Sequence, residues 1–390
     1  MSCDIDFSDI APYSDEEFPE KMKHLVREPE FERVIKSVMP GVDYAQFTSQ
    51  LLSVKDKNSF QRIIIRPFLE RLEATTTDGI TIGGLENISR GMSYTFMSNH
   101  RDIVLDASFL NFSFIKHDMP TSEIAIGNNL LIYDWITDLV KLNKSFIVKR
   151  NLRMIQALEA ARQLSAYIHY AINEKKESVW IAQREGRAKD SNDLTQESLV
   201  KMLGLEGGGS LGENLMGVHI VPLAISYEYD PNDYLKVTEF LMRRRNPEFK
   251  KSQHDDLLSM ETGILQYKGK VHFQLGKCID AELEALSEEM DRTEYIKHVC
   301  AIIDRSIHSD YKIYPINYIA FDEVNNTDRF RDYYTAEDRK RTDDYIASQL
   351  AKVEVTDITD EERDYMRHLI LSMYANPLIN KLAVIEDNLL

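Results

Sequence analysis

Between Gly79 and roughly Tyr318 the sequence alternates short β-rich runs with stretches of helical periodicity. Strands separated by helices must pair through crossover connections, so the alternation predicts an α/β domain with a mixed central sheet flanked by helices. The strand-like runs cover residues 80–82, 94–98, 123–126, 145–147, 178–181, 218–226 and 271–275, and helical spacing is evident at 103–114, 131–139 and 154–173. Before this region, residues 16–26, 29–38, 44–54 and 58–72 carry apolar residues three and four apart, the pattern of a small helical bundle. The turn formers Thr75-Thr76-Thr77-Asp78-Gly79 mark the change of pattern. Beyond about Thr327 the helical pattern returns, at 336–350 with Thr335 as its N-cap and at 360–374. The expected organisation is an N-terminal helical domain over 1–77, an α/β domain over 78–320 and a C-terminal helical cap over 321–390.

Composition narrows the function. A net charge of −17 over 390 residues argues against nucleic acid as a partner, because phosphate affinity requires a clustered cationic surface. An anionic substrate would have to be met by a local group of cations. Cys3, Cys278 and Cys300 are far apart and form no CxxC or Cys/His spacing, so neither a zinc site nor a disulfide framework is expected, and a reducing cytoplasm fits. The acidic start Met1-Ser2-Cys3-Asp4 lacks the basic and apolar regions of a secretory signal. No apolar run approaches the ~18 residues of a membrane-spanning helix, so any bilayer contact is expected to be peripheral, on the inner face of the membrane.

The most informative segment is Phe96-Met97-Ser98-Asn99-His100-Arg101-Asp102-Ile103-Val104-Leu105-Asp106. A short strand delivers a histidine to a turn, and a helix bearing carboxylates follows. Acyl transfer from a thioester to an alcohol needs a base for the hydroxyl proton and an acid group to fix the imidazole tautomer, and histidine has the intrinsic pKa for that work. Read alone, the same residues also suit a histidine that fills a polar pocket, with Asp102 capping the helix.

Two later segments repeat the plan of an apolar strand running into charge. Lys144-Ser145-Phe146-Ile147-Val148-Lys149-Arg150 ends in two cations that suit a phosphate grip or, equally, a solvated edge. Val179-Trp180-Ile181-Ala182-Gln183-Arg184-Glu185-Gly186-Arg187-Ala188-Lys189 runs into a turn where Gly186 permits close approach, Glu185 can orient a polyol and Arg187 can hold a phosphate; a plain charged turn is the alternative. A fourth segment, from Val218 to Glu228, is an apolar strand interrupted by Pro222. Its composition indicates a buried sheet, its proline an edge, bulge or strand end, and its residues are expected to shape a pocket.

These four segments, in this order, resemble the blocks of the glycerolipid acyltransferase family, the group containing glycerol-3-phosphate and lysophosphatidate acyltransferases. The resemblance covers about residues 79–230, including the approach Gly84-Leu85-Glu86-Asn87-Ile88. It implies that His100 is the general base, that Lys149, Arg150, Glu185, Gly186, Arg187 and Lys189 bind substrate, and that Val221-Pro222 form the fourth block. It also implies a glycerol-3-phosphate acyltransferase-like fold. Two departures stand out. Asp106 is one residue farther from His100 than the family's His-x4-Asp spacing and Asp102 is nearer; Asp106 is preferred as the partner, one helical turn into the element, with Asp102 left to cap it. The third block has Arg184 where the family has proline, and lacks the threonine between glycine and arginine.

The implied reaction moves a fatty acyl group from an acyl thioester, carried by coenzyme A or an acyl carrier protein, to a hydroxyl of glycerol-3-phosphate or a lysophospholipid. No other cofactor or metal is called for. The rival readings are an O- or N-acyltransferase for an amino-acid-derived lyso-lipid and a non-catalytic acyl-carrier or lipid-binding protein of the same fold. A serine hydrolase is disfavoured, since no Gly-x-Ser-x-Gly elbow is present. Two features remain: the basic island Arg243-Arg244-Arg245 with Lys250-Lys251, which could dock a carrier protein or anionic head groups or simply be solvated, and the stretch from Gly204 to Gly212, which reads as a flexible loop or a lid.

Overall fold

The computed structural model describes residues 5–286 and 290–387, so Cys3 lies outside the described residues. Its centre is one sheet of seven strands: β1 (Ile80–Gly83), β2 (Thr95–Ser98), β3 (Glu123–Gly127), β4 (Ser145–Val148), β5 (Val179–Ala182), β6 (Ile220–Tyr227) and β7 (Val271–Leu275). Their order across the sheet is β1-β7-β6-β2-β5-β3-β4. Strands β2 to β6 run parallel, β7 is antiparallel to β6, and β1 pairs in parallel with β7.

Alternation along each strand assigns side chains to two cores, one on each face of the sheet. Met97, Val179, Ile181 and Ile220 point to a layer made by the helices Met154–Tyr170 and Arg292–Ser309. Phe96, Trp180, Val221 and Leu223 point to the opposite layer, with Phe109 and Phe112 of the helix Leu105–Lys116 and Leu69 and Leu72 of the helix Arg66–Thr76. The result is a mixed sheet between helical layers, as the alternating sequence implies.

The N-terminal helices Phe18–Leu25, Pro29–Val38 and Tyr44–Ser53 bury Phe18, Phe31 and Leu51 in a separate cluster that also takes in Leu142. The helical run 57–76 passes through a π segment, Gln61–Ile65, immediately before Pro67. Proline cannot donate to a carbonyl one turn back, and the wider turn ahead of it accommodates the loss. The C-terminal helices Pro315–Asn325, Ala336–Leu350 and Asp360–Asp387 share a core with Val237 and Leu241 of the helix Asp233–Arg245. Thr335 caps as its sequence position predicts, accepting from the Asp338 amide at 3.0 Å.

Two expectations need correction. Pro222 is neither on an edge strand nor at a strand end: β6 lies between β7 and β2. The proline is tolerated because it falls one residue outside the β6–β7 register, which begins at Leu223↔Leu275. The Gly204–Gly212 stretch is not an open loop, because the Asn214 side chain receives the Gly209 amide and donates to the Gly204 carbonyl. Ser210 then begins the helix Leu211–Met216 with a capping box to Glu213. The basic island is an exposed face, one of the two readings its sequence allows, and its arginines are ion-paired. Arg243 pairs with Glu239, Arg244 with Glu361, and Arg245 makes a two-pronged contact with Glu362, which lowers the Glu362 carboxyl to about 2.

Candidate active site

The end of β2 is clamped before it turns. Asn99 is fully buried, and its amide group both donates to the Ile225 carbonyl (2.9 Å) and accepts from the Ile225 amide (2.8 Å) on β6. On the other flank the Gln183 amide donates to the Ser98 carbonyl, and Trp180 Nε1 donates to Ser98 Oγ at 3.1 Å. His100 therefore leaves the sheet from backbone held on both sides, with the Trp180 ring edge-on to it at 5.7 Å.

The His100 ring Nδ1 lies 2.8 Å from Asp106 Oδ2. An ionised carboxylate only accepts, so Nδ1 carries the proton and the lone pair of the neutral ring is on Nε2. The same carboxylate oxygen receives the amides of Arg101 (2.7 Å) and Asp102 (3.1 Å). Asp106 itself is fully buried, and its other oxygen has no hydrogen-bond partner among the described residues. The Tyr227 hydroxyl sits beside it; burial, reinforced by Asp106 and Asp102, holds the phenol well above its ordinary value.

Asp102 has a different task. Its Oδ1 accepts from the amides of Val104 and Leu105, at 2.9 and 2.8 Å, ahead of the helix Leu105–Lys116, in which Val104 occupies the N-cap position. Burial, and then the neighbouring Asp106, raises its carboxyl above the usual range. Its other oxygen faces Gly263, where an added Cβ would come within 1.9 Å. The amides of Arg101 and Asp102 are committed to Asp106, which removes them as donors to a reacting oxyanion.

His100 opens onto a cleft of about 1410 Å³ whose walls include Lys149, Arg150, Glu185, Gly186, Arg187 and Lys189. The ends of β4 and β5 meet there: Arg150 Nη1 is 3.7 Å from Glu185 Oε1, an exposed and loose pairing. Gly186 turns the chain with a φ of +69° and open space where a Cβ would be. Arg187 faces Asp102 and Asp230. With the Asn232 amide oriented to suit its neighbours, its oxygen accepts from Arg187 Nη1 at 3.2 Å.

The two lysines of this group are committed within the protein. Lys149 pairs with Asp9 and donates to Gln163 at 2.9 Å. Lys189 pairs with Glu239, a buried carboxylate that also faces Arg243 and Lys251. Val221 and Pro222 are buried in β6 and form no part of the cleft wall, because the strand carrying them lies under the sheet's helical layers rather than at its end. From Arg150 and Glu185 the cleft extends into an apolar part lined by Phe31, Leu51, Phe60, Ile64 and Trp135, between the N-terminal helices and the α/β core.

Residues not singled out in the sequence complete the site: Asn99 as the clamp, Trp180 against the imidazole, and Lys236 on the wall, paired with Asp230. Asn99 and Trp180 lie in the first and third motif segments, but nothing in a single sequence distinguishes a clamping asparagine from a turn residue. At the opposite end of the strands, where β6 begins, His219, Cys278 and Asp280 hold ligand-type atoms within 4.8 Å of one another, a grouping that their sequence spacing conceals.

Residues 79–226 match the family model described as Acyltransferase. No curated protein sequence matches the chain. Among solved structures, the chain is similar to the crystal structure of the 1-acyl-sn-glycerophosphate (LPA) acyltransferase PlsC from Thermotoga maritima. The identity is 14% and the TM-score 0.40, with 75% of this chain and 96% of that chain covered.

Proposed function

We propose, from the match of residues 79–226 to the acyltransferase family model, that the chain is an acyl-transfer enzyme that moves a fatty acyl group from an acyl thioester to a hydroxyl of glycerol-3-phosphate or a lysophospholipid. The observation that carries this reading is the Nε2 side of His100, unpartnered among the described residues, on a cleft whose wall also holds Arg150 and Arg187.

In the proposed reaction His100 Nε2 removes the acceptor's hydroxyl proton as the oxygen bonds to the thioester carbonyl carbon. The tetrahedral intermediate collapses by breaking the carbon–sulfur bond, and the departing thiolate takes the proton back from His100. Asp106 stabilises the charged ring between these steps and holds its tautomer. No acyl-enzyme is required. Arg150 and Arg187 bind the acceptor phosphate; Arg150 can do so by exchanging its loose contact with Glu185 for a bidentate one. Holding the phosphate aligns the acceptor's hydroxyl with the base. The apolar part of the cleft accommodates the acyl chain.

The test is incubation of the purified protein with a radiolabelled long-chain acyl thioester, as coenzyme A or carrier-protein conjugate, and a panel of acceptors. Acylated glycerol-3-phosphate or acylated lysophosphatidate is the expected product. Acylation of an amino-acid-derived lyso-lipid alone would replace the acceptor in this proposal, and binding without transfer to any acceptor would refute it.

A further inference from the structure

The first turns of the helix Met154–Tyr170 stand clear of the rest of the protein. Every residue from 151 to 159 is exposed, and the helix buries nothing before Leu164. Yet this stretch is apolar: Met154 is 89% exposed, Ile155 76% and Leu158 56%. Spaced at i, i+1 and i+4, these three share one face of the helix. Scattered exposed apolar residues are ordinary, but three large ones on a single projecting face are not.

Their surroundings indicate what covers them. Asn151, Leu152, Ala157, Ala160 and Ala161 of the same turns belong to the cleft wall, so the face stands at the cleft's rim. Residues 149–162 contain Lys149, Arg150, Arg153 and Arg162 against Glu159, four cations less one carboxylate, or +3, in a chain of −17. Three of the four are partly occupied, Lys149 by Asp9 and, more loosely, Arg150 by Glu185 at 3.7 Å and Arg162 by Glu206 at 3.4 Å, while Arg153, beside the apolar face, meets no carboxylate among the described residues. A strongly acidic protein is repelled by an anionic bilayer unless it approaches through a local positive region, and polar head groups favour apolar side chains ringed by cations. In the other basic stretch each of Arg243, Arg244 and Arg245 is ion-paired, with Glu239, Glu361 and Glu362 in turn, and no cluster of large exposed apolar side chains accompanies them among the described residues. Among the described residues no helix is long and apolar enough to cross a membrane.

We propose that the Met154, Ile155 and Leu158 face inserts into an anionic lipid surface and sets the mouth of the cleft against it. The proposal rests on the reading of the cleft as the site of a lipid acyl transfer. It assigns the membrane contact to the α/β domain itself, at the point where an amphiphilic substrate would pass from bilayer to cleft.

The experiment compares the full chain with its Met154→Ser/Ile155→Ser/Leu158→Ser variant. Both are sedimented with vesicles of phosphatidylcholine alone and of phosphatidylcholine mixed with phosphatidylglycerol, and both are assayed with water-soluble glycerol-3-phosphate. The expected result is binding of the unaltered chain to mixed vesicles, weakened by added salt and reduced about tenfold or more in the variant. Circular dichroism and glycerol-3-phosphate acylation should be the same for both. Equal vesicle binding by the two proteins, or none by the unaltered chain, overturns the proposal. A change in self-association seen by sedimentation velocity, with no vesicle binding, would overturn it in favour of a second copy on this face. Vesicle binding lost in the variant while neither protein acylates any acceptor would leave the docking face standing and defeat the reading of the cleft.

Discussion

Arg150 Nη1 and Glu185 Oε1 stand 3.7 Å apart, joining the ends of two strands that are separated in sequence by a whole helix. The carboxylate is two-thirds exposed, so the pair contributes little to stability, and its cation can be surrendered to a ligand at small cost. Arg150→Ala and Arg187→Ala are each expected to raise the acceptor KM by about tenfold to a hundredfold, in keeping with a lost charge-assisted contact, while the thioester KM stays within about twofold. Steady-state kinetics with each substrate varied in turn provides the check. An unchanged acceptor KM would remove that arginine from the phosphate site.

Lys189 should behave differently, since its partner is the buried Glu239 rather than solvent. Lys189→Ala is expected to lower stability by about 1–3 kcal/mol, with Arg243 and Lys251 limiting the loss, and to leave the acceptor KM nearly unchanged. Urea unfolding alongside kinetics separates the two effects.

The two carboxylates that follow His100 can be told apart by kinetics. Asp106→Asn is expected to depress kcat by about 10²–10⁴, because an amide can present its donor to the ring and so lose the Nδ1–H tautomer. His100→Ala should fall at least as far with near-UV circular dichroism unchanged. Asp102→Asn keeps an oxygen to accept from the Val104 and Leu105 amides and should leave kcat nearly unchanged. Equal loss of kcat in both asparagine variants would be incompatible with this division of labour.

Asn99→Ala removes both hydrogen bonds to Ile225 and leaves that backbone unsatisfied inside the sheet. The expected cost is about 2–4 kcal/mol in unfolding free energy, together with a fall in kcat at constant KM as the base loses its fixed position. Asn99→Asp, which keeps only the acceptor, should not recover the rate. Rescue by aspartate would show that a single contact is enough.

Stability should also depend on pH through Asp233. Burial, followed by its neighbour Asp230, raises its carboxyl from 3.8 to about 7, against the hydroxyls of Tyr345 and Tyr374 that donate to it. The folded chain then holds this proton more tightly than the unfolded chain does, so the group's contribution is fully present below about pH 4 and declines as pH rises through 7. Asp233→Asn should flatten that part of the profile when unfolding free energies are measured between pH 5 and 8. A profile of unchanged slope would show that Asp233 is ionised throughout.

The seven strands were legible because each is an apolar run bounded by turn formers, and the helices at 29–38 and 336–350 because their apolar spacing and caps are clean. The helix Asp233–Arg245 was not legible, for a physical reason: it buries Lys236 and Glu239 as members of ion pairs, so its inward face does not read as apolar. The helix Leu211–Met216 carried a usable signal in Ser210 and Glu213, obscured by the neighbouring glycines. Within the site, the sequence indicated His100 and two candidate carboxylates, and geometry was needed to assign them, since the turn 101–104 displaces Asp106 from simple helical spacing. Ion pairing likewise withdrew Lys149 and Lys189 from the group of cations, and no reading of one chain reveals which lysine meets a distant Asp9 or Glu239.

The antiparallel end of the sheet bears on how this protein could be dissected. β1 opens the segment that matches the acyltransferase family model, yet among the described residues it pairs only with β7, which begins 45 residues after that segment ends at position 226. A clone trimmed to the family match would carry a strand with no neighbour and a β6 edge exposed along its whole length, both invitations to aggregation. The smallest excerpt worth expressing must reach past Leu275, and it inherits every connection in between.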